Sequence, residues 1–114
     1  MPFIETKTNV AISPIQEKDL KERLGKAIET IPGKSENWLM LNFQERCHLY
    51  FKGDGTTPAA FVGVKIFGST NRAAFEKMTG VISGILQSVL GIEPDRVYVQ
   101  YEACQDWGWN GGNF

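Results

Sequence analysis

The residue of this chain best placed by type and position to do chemistry is the second. Pro2 follows Met1, and a small second residue normally permits removal of the initiator. The mature chain would then start with a secondary amine. A free α-amine titrates near about 7.7–8.0, so only about a tenth of it is neutral at pH ~7. Burial in an apolar pocket, or a cation nearby, disfavours the ammonium form and lowers that value. A drop of ~2 units corresponds to ~2.7 kcal/mol and leaves the amine mostly neutral. Such a nitrogen is a competent general base, and its protonated form returns the proton. Position alone does not single Pro2 out, because many chains begin Met-Pro. If Met1 is retained, the proline nitrogen is an amide without basicity.

The other reactive residue types are sparse. His48 is the single histidine and Cys47 and Cys104 are the two cysteines. Their spacing forms no CxxC, no zinc pattern and no disulfide framework, and suits thiols in a reducing cytosol. One histidine leaves no His-based metal cluster and no conventional Ser-His-Asp arrangement. Gly53-Asp54-Gly55 reads as a turn, since no phosphate-loop pattern and helix follow it. No metal, nucleotide, flavin or other cofactor is expected. With 12 Lys and Arg against 13 Asp and Glu, net charge −1, there is no basic surface for nucleic acid or an anionic membrane. The longest uncharged run, residues 78–92, spans 15 residues and contains three glycines, too short and too broken to cross a bilayer. The first residues lack the basic-then-apolar pattern of a signal peptide, so the expected location is the cytoplasm.

The elements that must position Pro2 repeat. At 114 residues the chain is expected to be one domain, residues 1–114. Residues 3–8 read as an extended segment. Ser13-Pro14 with Gln16 three residues later is a helix start with a capping box. Leu20, Leu24, Ile28 and Ile31 follow at helical spacing, and Pro32-Gly33 ends the helix. Residues 37–43 read as a strand, and 44–51 as a hairpin arm turned at Gly53-Asp54-Gly55. Residues 59–67, rich in β-branched and aromatic types, form the next strand. A helix over 71–90 carries Phe75, Met78, Ile82, Ile85 and Val89 on one stripe, and residues 97–103 form the last strand. The fold class is therefore α+β. A β-α-β unit is duplicated over about 2–57 and 58–103, with a tail over 104–114. Right-handed crossovers put both helices on one face of a four-stranded mixed sheet, accompanied by short extra strands.

Both faces of these strands look apolar: Leu39, Leu41 and Phe43 against Trp38 and Met40, and Val62, Val64 and Ile66 against Phe61 and Phe67. A bare apolar sheet face is an association surface. A closed homo-oligomer with inward-facing sheets is expected, with sites at subunit boundaries.

Five segments in order resemble the macrophage migration inhibitory factor family of the tautomerase superfamily, over nearly the whole chain. They are the opening Met-Pro-Phe-Ile with Thr8-Asn9-Val10, Gly33-Lys34, Phe51-x-Gly53, Asp95-Arg96-Val97-Tyr98-Val99, and the ending Gly108-Trp109-Asn110-Gly111-Gly112-Asn113-Phe114. The resemblance implies a homotrimer with three sheets around a central solvent channel. It implies keto–enol tautomerisation of phenylpyruvate-type aryl 2-oxo acids, with Pro2 as base and acid. Lys34 would bind the substrate carboxylate and depress the amine pKa. Phe67, with Ile66 beside it, would supply a backbone N–H. Tyr98 and Gln100 would reach in from a neighbouring subunit. Phe3, Trp38, Trp107, Trp109 and Phe114 would form an aromatic wall. An aryl 2-oxo acid needs an apolar slot, a cation and a base beside its acidic C–H, which this set supplies.

The chain also departs from the family pattern. Gln100 stands where many members have asparagine. Ile66-Phe67-Gly68 replaces a smaller Ser-Ile-Gly segment and puts bulk at the pocket mouth. Ala59-Ala60-Phe61-Val62 stands where the vertebrate member has CxxC, so thiol oxidoreductase activity is not expected. Two further readings stand beside the enzyme: a cytokine-like signalling protein with a receptor partner, and a trimeric binding scaffold with a vestigial pocket. Export is compatible with the chain, since the family's secreted members also lack signal peptides.

Overall fold

The computed structural model describes residues 1–114. Strand β1 (Pro2–Thr8) is followed by helix α1 (Pro14–Ala27), strand β2 (Met40–Gln44), strand β3 (Ala60–Phe67), helix α2 (Arg72–Leu90) and strand β4 (Val97–Cys104). Two short strands, β5 (Gly108–Trp109) and β6 (Gly112–Asn113), close the chain. The sheet order is β2-β1-β3-β4. β1 runs parallel to β2 and β3 parallel to β4, while β1 and β3 pair antiparallel, with Pro2 opposite Ile66 and Thr8 opposite Ala60. Each half is thus a β-α-β unit with its two strands adjacent, and the halves join along the central β1/β3 pair.

Local chemistry explains the helix boundaries. The Ser13 hydroxyl accepts from the Gln16 N–H at 3.2 Å, and the Gln16 side chain accepts from the Ser13 N–H at 2.9 Å, a complete capping box. Asn71 caps α2 by accepting from the Ala74 N–H at 3.0 Å. Gly91, in the left-handed region at φ 69°, ends α2 where a side chain would be strained. Alternation along β1 and β3 turns Ile4, Val62, Val64 and Ile66 toward the helices. There they join Leu20, Leu24, Ile28, Met78, Ile82 and Leu86 in one buried core. Each such side chain contributes about 1.5–3 kcal/mol on burial.

Three expectations need correction. Residues 36–38 form a 3₁₀ turn, so β2 starts only at Met40; the Trp38 ring packs edge-on against Trp109 at 5.1 Å, which draws this segment off the sheet. No hairpin arm follows β2. Instead the Arg46 and Cys47 N–H groups bond the Val10 and Thr8 carbonyls at 3.0 and 2.8 Å. The turn itself lies around Lys52 and Gly53, both left-handed (φ 53° and 78°), with Phe51 and Asp54 exchanging two backbone hydrogen bonds.

The third concerns the uncovered sheet face. It is amphipathic: Phe3, Met40, Phe61 and Tyr98 share it with Glu5, Lys7, Lys65, Gln100 and Glu102. The apolar residues that made both faces look alike, Leu41, Phe43, Val62, Val64 and Ile66, point to the helices, where they form or pack on the core.

One buried group is unpaired. The Thr6 hydroxyl lies in the core without a hydrogen-bond partner, whereas Thr8 donates to the Ala59 carbonyl at 2.7 Å. Leaving a buried hydroxyl unpaired costs free energy that an apolar group of similar shape avoids. Thr6→Val is therefore expected to raise stability by about 1 kcal/mol in urea unfolding. A loss of stability would show that the hydroxyl is bonded after all.

Candidate active site

Three distant stretches converge at one end of the central strand pair. The chain start leads into β1, Lys34 follows the α1 segment, and Phe67 ends β3. The Lys34 ammonium donates to the Phe67 carbonyl at 2.6 Å and stands 6.0 Å from the Phe67 ring centre. The Phe67 N–H donates in turn to the Met1 carbonyl at 2.9 Å. Pro2 is buried as the first residue of β1, a place a proline can take without breaking a ladder. Gly68 follows at φ 129°, a conformation open to glycine, and its N–H bonds the Cys104 carbonyl at 2.9 Å.

The amine at this point, that of Met1, has its pKa lowered. Burial contributes most; the positive charge of Lys34 and a hydrogen bond with its side chain follow. All three act against the ammonium form. An ammonium has three donors, so Lys34 keeps capacity for a second acceptor after binding Phe67. The adjoining cleft, about 820 Å³, is lined by Ile31, Pro32, Lys34, Ile66, Phe67 and the 68–72 turn into α2. A cleft of similar volume between α1 and β2, lined by Glu17, Lys18, Lys21, Glu36, Leu39, Leu41 and Phe43, includes neither Lys34 nor Phe67.

The aromatic residues mostly assemble. Phe67 packs on Phe114 at 5.3 Å, Phe114 stacks on Trp109 at 6.2 Å, and Trp109 meets Trp38 edge-on at 5.1 Å. A four-ring run therefore begins at the residue whose carbonyl holds Lys34. The bulk of Phe67 joins this run. Trp107 contributes its backbone carbonyl, which accepts from the Phe114 N–H at 3.0 Å. Phe3 lies on the uncovered sheet face beside Met40 and Lys65 and stands apart from the four rings. Ile66 is 2% exposed and belongs mainly to the core.

Within one chain Tyr98 and Gln100 do not reach this point. They share the uncovered face of β4, opposite Phe61 and Gly63, whereas Ile66, the partner of Pro2, lies opposite Ala103. Five residues of strand between Tyr98 and Ala103 amount to about 17 Å.

Phe114 was expected in the aromatic wall, but the hairpin that carries it and the Met1 carbonyl contact went unread in the sequence. The Phe114 ring is delivered by a hairpin, β5/β6, whose turn residues Asn110 and Gly111 are both left-handed (φ 53° and 81°). Asn-Gly is a strong hairpin signal and could have revealed it. The Met1 carbonyl on the Phe67 N–H had no such signal, because that contact depends on the β1/β3 register.

A model of the family "Macrophage migration inhibitory factor (MIF)" matches residues 1–114. The chain belongs to the macrophage migration inhibitory factor family. The rat macrophage migration inhibitory factor is 28% identical over 116 residues, covering 100% of this chain and 99% of its own. The crystal structure of Leishmania major MIF2 is 32% identical with a TM-score of 0.92, covering 100% of this chain and 97% of that one. A family homologue from Prochlorococcus marinus is 28% identical with a TM-score of 0.88, covering 98% of each chain. The two-helix, four-strand arrangement is thus the tautomerase fold of this family. No helix is long and apolar enough to cross a membrane.

The electrostatics predict a titration. The N-terminal amine should titrate below an ordinary α-amine, and Lys34→Met should move it upward by removing a charge and a hydrogen bond. Because burial acts first, recovery should be incomplete. NMR titration of the labelled terminal nitrogen reads both values; an unchanged pKa in Lys34→Met would remove Lys34 from the site.

Proposed function

We propose that the chain, once Met1 is removed, is a keto–enol tautomerase of phenylpyruvate-type aryl 2-oxo acids, with Pro2 as general base and acid. The observation that carries this reading is the convergence at the chain start of a pKa-lowering environment, the Lys34 ammonium and the Phe67 backbone. Loss of Met1 exposes the Pro2 nitrogen as an amine and releases the Phe67 N–H from the Met1 carbonyl. A single cleavage thus creates the base and frees a donor.

In the proposed reaction Lys34 pairs with the substrate carboxylate, and the freed Phe67 N–H donates to a substrate oxygen. The aryl group lies along Phe67, Phe114, Trp109 and Trp38. Neutral Pro2 accepts the proton of the C3–H bond, and the electron pair moves to the C2 oxygen. Protonated Pro2 then gives its proton to that oxygen, which completes the enol and restores the neutral amine. In the reverse direction, which enol decay reads, neutral Pro2 takes the enol O–H proton and its protonated form delivers it to C3. Tyr98 and Gln100 complete the pocket across a subunit boundary in a homotrimer, whose amphipathic inner faces suit a solvent channel.

The form that keeps Met1 favours the scaffold reading instead. Its Pro2 nitrogen is an amide and its Phe67 N–H is engaged by Met1. It should bind without turning over.

The test is intact mass together with decay of the phenylpyruvate enol absorbance. Chains lacking Met1 should be active, and those retaining it inactive. Pro2→Ala should lower kcat/KM by about 10²–10⁴-fold, the usual contribution of a positioned acid–base group. The rate should rise with pH through an apparent pKa below that of a free α-amine, because the base must be neutral. Equal activity with and without Met1 would sink the proposal.

A further inference from the structure

Tyr98 is 61% exposed on the uncovered sheet face, so little of its own chain restrains the ring. Its aromatic contact is Phe51, at 5.0 Å and nearly perpendicular. Phe51 lies on an irregular stretch, yet that stretch is firmly held. The Arg96 guanidinium donates to the carbonyls of Phe51 at 2.9 Å, Asp54 at 3.1 Å, Thr57 at 2.9 Å and Pro58 at 3.3 Å. It also stands 5.2 Å from the centre of the Phe51 ring, and its side chain is only 12% exposed.

The loop is tied from two other sides. The Asn9 amide donates to the Thr57 carbonyl at 3.0 Å, and its oxygen accepts from the Ala59 N–H at 2.9 Å. The Asp54 carboxylate accepts from the Thr57 and Thr56 hydroxyls and backbone N–H groups, which hold its pKa far below the usual carboxylate range, the Thr57 hydroxyl foremost. These bonds fix the backbone that carries Phe51, and the Arg96 guanidinium packs against its ring.

We infer that Phe51, clamped by Arg96, is a positioning residue that fixes the Tyr98 ring where the aromatic end of the substrate meets it. The inference rests on the tautomerase reading above and on the entry of Tyr98 into the pocket from the adjacent subunit. Neither Phe51 nor Arg96 touches substrate. Arg96 acts through the planar fork of its guanidinium, which a lysine cannot reproduce.

The experiment uses the full chain with Met1 removed. Phe51→Leu should raise KM for phenylpyruvate about fivefold, which corresponds to about 1 kcal/mol at ~1.4 kcal/mol per tenfold. It should leave kcat, and KM for a short aliphatic 2-oxo acid, within about twofold, because the lost contact is an aromatic pairing. Phe51→Tyr should restore KM for phenylpyruvate. Arg96→Lys should move KM in the same direction as Phe51→Leu. Equal KM changes for both acids, no change for either, or failure of Phe51→Tyr to restore KM would overturn the inference. NMR shifts of the Tyr98 ring protons supply a second readout. They should move in Phe51→Leu and stay in Phe51→Tyr. If the parent protein turns over no 2-oxo acid, the tautomerase reading fails by itself; unmoved Tyr98 shifts in Phe51→Leu then dispose of the Phe51 contact.

Discussion

The Lys34 ammonium on the Phe67 carbonyl is the contact around which this end of the molecule is organised. It sets a fixed positive charge beside the chain terminus, in a place where burial already opposes a second one. Two cations cannot share such a site cheaply, and the amine is the one that yields, because an α-amine holds its proton less tightly than a lysine. The same contact ties the loop after α1 to the end of β3. The cleft, the chain start and the aromatic run therefore share one anchor.

The fold makes that contact possible by joining its two halves antiparallel. With Pro2 opposite Ile66, the start of β1 lies beside the end of β3, and the loop after α1 comes back to the same end. The β5/β6 hairpin then lays Phe114 and Trp109 over Phe67. Residues far apart in the chain thus meet around one β3 residue, and two of them do so through its backbone groups. Tolerance of a larger side chain at Phe67 follows from this division of labour: the backbone holds Lys34 and Met1 while the ring packs with the tail.

At the opposite end of the sheet Arg96 plays a comparable part. Its guanidinium gathers four carbonyls of an irregular loop and turns that loop into a fixed support for Phe51. Pro2 and Tyr98 lie at opposite ends of the central strands. Within one chain the two do not share a pocket.

The start of each helix, the end of α2, the duplicated β-α-β order and the core stripes were legible in the residues, because caps, breakers and apolar spacing act over a few positions; α1 itself ends at Ala27 and passes into a 3₁₀ turn over Ile28–Thr30 before Pro32-Gly33. The family resemblance pointed to Pro2, Lys34 and Phe67, and tertiary structure brought all three together. The 3₁₀ turn at residues 36–38 was hidden, since Trp38 answers to Trp109 in the distant tail rather than to its neighbours. The polarity of the uncovered face was obscured too, because alternation assigns Leu41 and Val62 to the helices only once strand register is known. Sequence alone determined the two helices and the four main strands, through local interactions. The folded chain decided which backbone groups Lys34, Met1 and Arg96 hold, since those contacts span tens of residues and exist only when the sheet has closed.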